Sequence, residues 1–251
     1  RSGTVIHRSL NVGGHTLDVY VKRPKLKTAW KVFLSMFRRS RSRKAFELGH
    51  KLLTRNIPAA LPLAALERRR FFLLKDSILI TEAVNAPHLH DFMVKWFGDY
   101  SRNDNGISAK TRRQLYRDIL LELGRMVQRL HANGFFHRDL KATNIRVHWN
   151  PQEHRTPKIL LVDLDGMRRV SFMTSRRRFR GVMRLNVSLL QCPPVNNSGR
   201  LRMLIGYLNR FGWEHRNFKP FWRLIEEWSE RKLQKQIRSR RRRQKAARKP
   251  R

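Results

Sequence analysis

The run FFHRDLKATNI, residues 135–145, places one carboxylate, Asp139, among cations in a strongly basic chain. The 251 residues include 56 Lys and Arg against 18 Asp and Glu. Asp139 lies next to Arg138 and two residues before Lys141, and Asn144 follows five residues on. Apolar residues border this polar stretch on both sides, which is typical of a tight loop between buried segments. A carboxylate with cationic neighbours stays ionised at neutral pH, so Asp139 can accept a proton.

The spacing HRDLKATN, residues 137–144, is typical of the catalytic loop of protein kinases. In this interpretation Asp139 orients an acceptor hydroxyl and takes its proton, while Lys141 offsets charge on the transferred phosphoryl group. Asn144 presents an amide oxygen to Mg²⁺. The alternative is a surface turn in which Asp139 forms a simple ion pair.

Phosphoryl transfer needs a second metal-binding carboxylate, expected at the end of a buried strand downstream of the loop. The run ILLVDLDG, residues 159–166, supplies Asp163, with Asp165 two residues later. We assign the metal to Asp163 because it directly follows the apolar run, at the position of the kinase Asp-Phe-Gly motif. A helix or turn cap is the alternative for Asp163.

A kinase also needs a strand lysine that holds the nucleotide phosphates and a helix glutamate that positions this lysine. The run VYVKR, residues 19–23, gives Lys22, and KAFELGHKLL, residues 44–53, gives Glu47. An ordinary surface lysine and a salt bridge within the helix are the alternatives for these two residues.

The run LITEAV, residues 79–84, ends a strand where the chain changes character, as a kinase hinge does. Backbone groups of Glu82 and Val84 are therefore candidates for pairing with adenine. We expect an α+β, bilobal, protein-kinase-like fold. Residues 1–84 would form a small antiparallel β N-lobe with one main helix, its first strand and Gly-rich loop truncated. Residues 85–237 would form a mainly helical C-lobe, and residues 238–251 a basic disordered tail.

Local patterns predict the main elements. Gly13-Gly14 lies between two β-rich runs and predicts a hairpin turn. A second hairpin is predicted over residues 69–84, with its turn at Lys75-Asp76. Residues 111–134 have one apolar face and end at a glycine, which predicts a long amphipathic helix. Two further helices, over residues 201–211 and 220–237, are predicted to close the domain.

The net charge of +38 favours polyanionic partners, namely anionic lipid, phosphorylated glycans or nucleic acid. The aromatic stripe Trp30, Phe33, Leu34 and Phe37 beside a basic run would supply core packing or a membrane contact. No apolar run approaches the ~20 residues that span a bilayer. The only cysteine is Cys192, so no disulfide forms within the chain, which suits a reducing compartment.

These residues together resemble the Kdo/WaaP lipopolysaccharide kinases, a bacterial family with a protein-kinase-like fold. The resemblance covers roughly residues 4–233. It is carried by NIPAALPLAALERR before the hinge and by LVDLDGMRR in place of Asp-Phe-Gly. It is also carried by VMRLNVSLL and GRLRMLIGYL, which resemble the closing helices of the family. Membership implies ATP- and Mg²⁺-dependent phosphorylation of a sugar hydroxyl, on Kdo or heptose of the lipopolysaccharide inner core or a related glycolipid.

The same resemblance implies a lipid-linked sugar acceptor and a peripheral position on the cytoplasmic face of the inner membrane. Matching the motifs makes Asp139 the base, Asn144 and Asp163 the metal ligands, and Lys22 the phosphate-holding lysine. A compact atypical Ser/Thr protein kinase is the alternative, although no Ala-Pro-Glu motif follows Asp163. A pseudokinase that binds anionic membrane or nucleic acid is disfavoured by the intact Asp139, Asn144 and Asp163. The sequence assigns no oligomeric state.

Overall fold

The computed structural model describes residues 3–25, 39–98, 107–153, 156–208 and 218–247. They form two compact units. The first contains the described residues up to Ala86 together with Leu160–Arg169, and the second contains the rest. The predicted α+β class is confirmed, because the first unit is an antiparallel sheet with a helix and the second is mainly helical. The aromatic stripe at 30–37 lies outside the described residues.

The first unit is built on a four-stranded sheet. Its strands are β1 (Gly3–Val12), β2 (His15–Pro24), β3 (Pro62–Arg70) and β4 (Leu73–Glu82), in the antiparallel order β1-β2-β4-β3. The predicted turn at Gly13-Gly14 is confirmed, since both glycines have positive φ, 59° and 81°. Lys22 lies on an inner strand, opposite Val5 of β1 and Leu79 of β4.

The second hairpin turns at Phe71-Phe72, so the prediction of a turn at Lys75-Asp76 was wrong. Asp76 is held within β4, where its carboxylate accepts a hydrogen bond from Arg23 Nε at 3.0 Å. Leu74 is buried in the same strand. A turn at Lys75-Asp76 would remove this apolar side chain from the core, and its burial therefore sets the register.

One helix, α1 (Arg41–Leu53), accompanies the sheet of the first unit. The hydroxyl of Ser40 caps it by accepting a hydrogen bond from the Arg43 N–H at 3.0 Å. Gly49 lies on the buried face of α1, and a Cβ there would meet Pro62 at 2.6 Å and Leu164 at 2.8 Å. The glycine thus permits close packing of α1 over the segment that contains Asp163.

The second unit contains the helices α2 (Leu89–Phe97), α3 (Ala109–Ala132), α4 (Ser175–Leu190), α5 (Asn197–Leu208) and α6 (Phe218–Ala247). Four short strands follow α3 along the chain. They are β5 (Phe135–His137), β6 (Ile145–His148), β7 (Lys158–Leu161) and β8 (Met167–Arg169), of which the end of β7 and all of β8 belong to the first unit.

The long helix α3 is confirmed, and so is its predicted apolar face. The buried residues on that face include Leu115, Ile119, Leu123, Val127 and Leu130. Gly134 has φ 75° just after the helix, which is the left-handed conformation expected of a glycine stop. Helix α2 was not predicted, and no bounds were predicted for α4, whose residues 182–190 were expected to be helical only by resemblance. Arginines crowd the first half of α4 and mask an apolar face that includes Val182, Leu185 and Leu189.

The last helix, α6, continues to Ala247, so the segment expected to be a disordered tail is helical over residues 238–247. This segment contains only Arg, Lys, Gln, Ser and Ala, with no Gly or Pro before Ala247. Most of these residues have good helix propensity, and they extend a helix already anchored by the buried Ile225 and Ser229.

Candidate active site

The loop between β5 and β6 is anchored by apolar side chains at its ends and centre. Phe135, Leu140 and Ile145 are buried, as are the polar His137 and Asn144, while Arg138 and Asp139 are exposed. The main chain at Ala142 is tied to α4, because its N–H donates to Ser188 Oγ at 2.8 Å. The alternation of apolar and polar residues in the sequence therefore produces a short, fixed loop.

Two side chains fix the backbone of Asp139. Its N–H donates to Nδ1 of the buried His137 at 3.1 Å, and its carbonyl accepts from Asn144 Nδ2 at 2.9 Å. Because the amide nitrogen of Asn144 is used in this way, its oxygen Oδ1 is the group that remains for a ligand. The five-residue spacing between Asp139 and Asn144 is thus a structural link as well as a chemical one.

The carboxylate of Asp139 opens into a cavity of about 480 Å³ within the second unit. The side chain is 63% exposed, and Lys141 Nζ lies 2.8 Å from its Oδ2. The cavity is lined by the loop together with residues of α2, α4 and α6. This arrangement places a carboxylate beside a cation, in a cavity large enough for part of a substrate.

Two further cations line this cavity, Arg184 from α4 and Lys232 from α6. Burial, reinforced by the charges of Arg180 and Arg138, lowers the pKa of Arg184. Burial and the charge of Arg184 lower the pKa of Lys232. The charge of Asp139 opposes both effects. The cavity is therefore strongly positive around a single carboxylate.

In the first unit, Lys22 forms ion pairs with both carboxylates of the run Asp163-Leu164-Asp165. It contacts Asp163 directly, and its Nζ lies 3.1 Å from Asp165 Oδ2. Burial lowers the pKa of Lys22, but the hydrogen bond to Asp163 and the two negative charges outweigh burial and raise it overall. The lysine and the metal carboxylate predicted from separate parts of the sequence thus lie together.

Asp163 has an unusual backbone that positions this cluster. It follows β7 with φ 57° and ψ 67°, the left-handed region, and precedes the short 3-10 turn Leu164–Gly166. Leu164, between the two aspartates, is buried in that turn and anchors it. A left-handed conformation is uncommon for residues other than glycine and is found mainly at functional sites.

These carboxylates have the chemistry of a magnesium site. Asp165 Oδ1 is buried and has no hydrogen-bond partner among the described residues, so an oxygen is left for a cation. Carboxylate and amide oxygens are the ligands that Mg²⁺ prefers. Within the described ranges, no group of three or more His, Cys, Asp or Glu side chains is arranged to hold a metal. Asp163 and Asp165 are thus two carboxylates whose chemistry fits a magnesium ion.

Glu47 pairs with Arg39 and with Arg43, whose Nε lies 3.2 Å from Oε1. Lys22 has Asp163 and Asp165 as its acidic partners instead. The pairing of Lys22 with Glu47 is therefore absent from the described structure. The contact of Glu47 with Arg43 is instead a salt bridge within the helix, which was the alternative interpretation of Glu47.

At the predicted hinge, the N–H of Glu82 donates to Leu61 O at 2.9 Å, and the carbonyl of Val84 accepts from the Ala86 N–H at 2.9 Å. A contact between Glu82 and adenine would consequently use its carbonyl oxygen. Glu82 ends β4 beside β2, at the pair Val19 and Glu82. The hinge residues thus lie at the end of an inner strand of the sheet that carries Lys22.

Sequence reasoning missed Arg184 and Lys232. Arginine and lysine are so frequent in this chain that neither residue stands out, and no bounds were predicted for α4. The helical spacing of Val182, Leu185 and Leu189 is the signal that would have identified α4 and placed Arg184 on it.

Comparison with known proteins adds independent information. Residues 4–223 match the model of the lipopolysaccharide kinase (Kdo/WaaP) family. A solved structure, "WaaP in complex with acyl carrier protein", is similar with a TM-score of 0.64 and 19% sequence identity, over 91% of this chain and 88% of that one. A search of curated proteins finds no match.

The structural similarity supports the kinase-like fold, and the family match covers most of the chain. The expected resemblance is therefore confirmed. The chain belongs to the lipopolysaccharide kinase (Kdo/WaaP) family and is a phosphotransferase that acts on a sugar hydroxyl.

Proposed function

We propose that this kinase transfers the γ-phosphoryl group of ATP to a hydroxyl of Kdo or heptose in the lipopolysaccharide inner core. The observation that carries the proposal is the carboxylate of Asp139, which opens into a cavity with Lys141 at 2.8 Å while its backbone is fixed on both sides. A fixed, ionised carboxylate beside a cation suits proton removal from a hydroxyl as a phosphoryl group arrives.

Each proposed residue has a separate role. Asp139 orients the sugar hydroxyl and accepts its proton, and Lys141 offsets charge on the transferred group. Lys22 holds phosphate oxygens of ATP, for which its raised pKa keeps it charged. Backbone groups of Glu82 and Val84 pair with adenine. Glu47 has no direct contact with the nucleotide in this scheme, because its carboxylate binds Arg39 and Arg43.

The proposed Mg²⁺ ligands are Asp163 and Asn144. We propose Asp165 as a third ligand, because its buried Oδ1 lacks a hydrogen-bond partner in the described part of the chain. When bound, Mg²⁺ neutralises charge on the phosphate oxygens. Each residue has a local feature that suits it to this role: Asp163 has a left-handed backbone, and the hydrogen bond of Asn144 Nδ2 leaves its Oδ1 for a ligand.

We place the enzyme peripherally on the cytoplasmic face of a bacterial inner membrane, where a lipid-linked sugar acceptor is available. None of the described helices combines the length and the apolar character needed to cross a bilayer. The basic end of α6 and the following residues would bind anionic lipid. Nucleic acid is the less favoured polyanion, since the family acts on a sugar hydroxyl.

The test is incubation of the purified protein with γ-labelled ATP and Mg²⁺ in four separate reactions. These contain a lipid A carrying only Kdo, a lipopolysaccharide that also carries heptose, casein, or no acceptor. We expect label in a glycolipid, and mass spectrometry of the fragments identifies the phosphorylated sugar. Omission of Mg²⁺ should abolish transfer.

Asp118→Asn is the matched control for Asp139→Asn, because Asp118 is a carboxylate on α3 that lies outside the cavity and accepts a hydrogen bond from Gln114. Transfer should disappear with Asp139→Asn and persist with Asp118→Asn. Label in casein alone would identify a protein kinase instead, and label in no reaction would contradict the proposed acceptor class.

A further inference from the structure

The cavity beside Asp139 has more positive charge than proton transfer requires. Its lining includes four cations, Arg138, Lys141, Arg184 and Lys232, but among the described residues Asp139 is the only carboxylate that lines it. The polar residues Ser188, Gln191 and Gln236 complete its polar wall. Every one of these residues belongs to the second unit, so this charge is a property of that unit alone.

Lys141 forms the ion pair with Asp139, whereas Arg184 and Lys232 form none with an acidic residue in the described parts of the chain. Both are only partly exposed, and each lies in the positive field of neighbouring cations. Like charges that are half-buried and close together repel one another, and a bound anion relieves that repulsion.

We propose that Arg184 and Lys232 bind an anionic group of the sugar acceptor, a carboxylate or a phosphate, next to the hydroxyl that Asp139 deprotonates. The inference rests on the proposed function and deepens it, because it predicts an acidic acceptor rather than a neutral sugar. A guanidinium and an ammonium on two different helices would fix the orientation of the acceptor as well as bind it.

The experiment measures KM for acceptor and for ATP separately, with Arg184→Gln, Lys232→Gln and the double variant. Matched controls are Arg176→Gln on α4 and Lys235→Gln on α6, which remove the same charges from the same helices outside the cavity. We expect KM for the acceptor to rise by about tenfold or more in the cavity variants. The KM for ATP should stay unchanged, as should both constants in the controls.

Two modified acceptors distinguish the source of the anion. One is a Kdo glycolipid whose carboxyl groups are reduced to alcohols, and the other is a dephosphorylated glycolipid. Wild-type enzyme should lose affinity for one of them, and Arg184→Gln should add little further loss on that acceptor. An equal KM for both modified acceptors and the native one would overturn the subsite.

The proposal also fails if the cavity variants change KM for ATP rather than for the acceptor, because the cations would then bind nucleotide. An absence of transfer by the wild-type enzyme to every glycolipid would contradict the proposed function itself. The two failures are therefore distinguishable in one series of assays.

A second, independent feature lies at the tip of the β3–β4 hairpin. Phe71 and Phe72 form its two-residue turn with φ values of 49° and 66°, and they are 78% and 77% exposed. Turns of this type favour Asn and Gly, because both central residues need positive φ. Two exposed phenylalanines are thus unfavourable for the turn and for solubility alike.

Cations surround this tip. Arg68, Arg69 and Arg70 precede the aromatic pair and Lys75 follows it. Arg69 donates to Phe72 O at 3.0 Å, and the Arg70 guanidinium lies 5.6 Å from the centre of the Phe71 ring. An apolar tip within a basic collar matches the interface of an anionic bilayer, where aromatic groups enter the acyl boundary and cations meet the headgroups.

We infer that Phe71 and Phe72 insert into an anionic bilayer and orient the first unit on the membrane. The charge of the collar argues for lipid rather than for an apolar protein groove. This contact is separate from the chemistry at Asp139 and does not depend on which acceptor the enzyme uses.

The decisive variant is Phe71→Asn with Phe72→Gly, because these residues suit the turn. We expect the Tm of this variant to equal or exceed that of the wild type. Its binding to phosphatidylglycerol-containing vesicles, measured by co-sedimentation, should weaken by about tenfold or more. Phe172→Ser is the matched control, since it removes an exposed phenylalanine of the second unit.

Unchanged vesicle binding by the turn variant, or equal loss with Phe172→Ser, would overturn the inference. Sedimentation without lipid serves as a further check. If the turn variant abolished self-association instead of vesicle binding, the tip would be an interface between copies of the chain, and the membrane assignment would be wrong.

Discussion

Asp139 is held through its backbone, and its carboxylate is left to act in the cavity. His137 and Asn144 bond to the main-chain groups on either side of the residue. Replacing the carboxylate by an amide therefore preserves the loop and removes only the base. This separation of support from chemistry makes Asp139 a suitable residue for testing function without disturbing the fold.

We expect Asp139→Asn to lower kcat by ~10²–10⁴, the usual contribution of one general base. Binding of ATP should remain, because the proposed nucleotide contacts come from other residues. Steady-state kinetics on the glycolipid acceptor and equilibrium binding of a fluorescent ATP analogue measure the two effects. Near-normal turnover by the variant would show that Asp139 is not the base.

Asp163→Asn should act differently, by weakening Mg²⁺-dependent nucleotide binding. The amide is a poorer ligand for Mg²⁺ than the carboxylate, and the paired charge of Lys22 loses one partner. Titration of the fluorescent analogue with and without Mg²⁺ should show a smaller difference than in the wild type. Asp18→Asn, on the exposed β1–β2 hairpin, should retain the full Mg²⁺ effect.

His131 provides a residue-scale test of stability. It is buried on α3, and its Nδ1 lies 2.9 Å from the Tyr207 hydroxyl, while burial and the charge of Arg178 lower its pKa to about 3. The unfolded chain binds a proton near pH 6.5 and the folded chain does not. The free energy of unfolding should therefore fall by about 2 kcal/mol between pH 6.5 and 5.

Urea unfolding at pH 7.5 and at pH 5 measures this contribution. His131→Gln should be less stable at pH 7.5 but should lose less stability on acidification than the wild type. His148→Gln alters an exposed histidine and should keep the wild-type difference. An unchanged pH dependence in His131→Gln would show that other groups control it.

At the scale of elements, helices α3 and α5 approach each other at glycines. A Cβ at Gly124 would lie 2.0 Å from Met203 O and 2.6 Å from Tyr207 N, and one at Gly206 would lie 2.3 Å from Leu121 O. Backbone atoms cannot move aside as a flexible side chain can. This pair of helices forms the base on which the β5–β6 loop is built, since α3 leads directly into β5.

Gly124→Ala should therefore destabilise the protein although alanine is the better helix former. We expect a loss of ~1–3 kcal/mol or more from overpacking, against a propensity gain of ~1 kcal/mol. Urea denaturation gives the difference. Arg125→Ala, at the next and exposed position, should change the free energy of unfolding little. A stabilised Gly124→Ala variant would contradict the tight helix contact.

At the scale of the whole molecule, charge is the dominant property. The net charge of +38 is spread over the chain, and nine of the last fourteen residues are Lys or Arg. Through Ala247 these residues extend α6. Because this segment is already helical, it can bind a charged surface without a further loss of backbone conformational entropy.

A chain ending at Ile237 should bind anionic vesicles more weakly than the intact chain. Basic residues at such a surface contribute ~1 kcal/mol each before salt screening. Co-sedimentation at low and high salt should show that high salt and truncation have the same effect. Both chains should bind neutral vesicles equally weakly. Tight binding of either chain to neutral lipid would contradict an electrostatic contact.

The fold class, the hairpin at Gly13-Gly14 and helix α3 could be predicted from the sequence alone, because each has a strong local signal. Glycine adopts positive φ readily whatever the tertiary structure around it, and an apolar face at helical spacing must be buried. The spacing of Asp139 and Asn144 was equally local, since the hydrogen bond between them spans only five residues.

Only the tertiary structure decided what depends on distant neighbours. It moved the second turn to Phe71-Phe72, because burial of Leu74 and the contact of Arg23 with Asp76 fix the register. It joined Lys22 to Asp163 and Asp165, and it paired Glu47 with arginines. It also selected Arg184 and Lys232 from 56 cations that look alike in sequence. Local pattern determines which element forms, whereas packing between elements determines which of many equivalent charges meet.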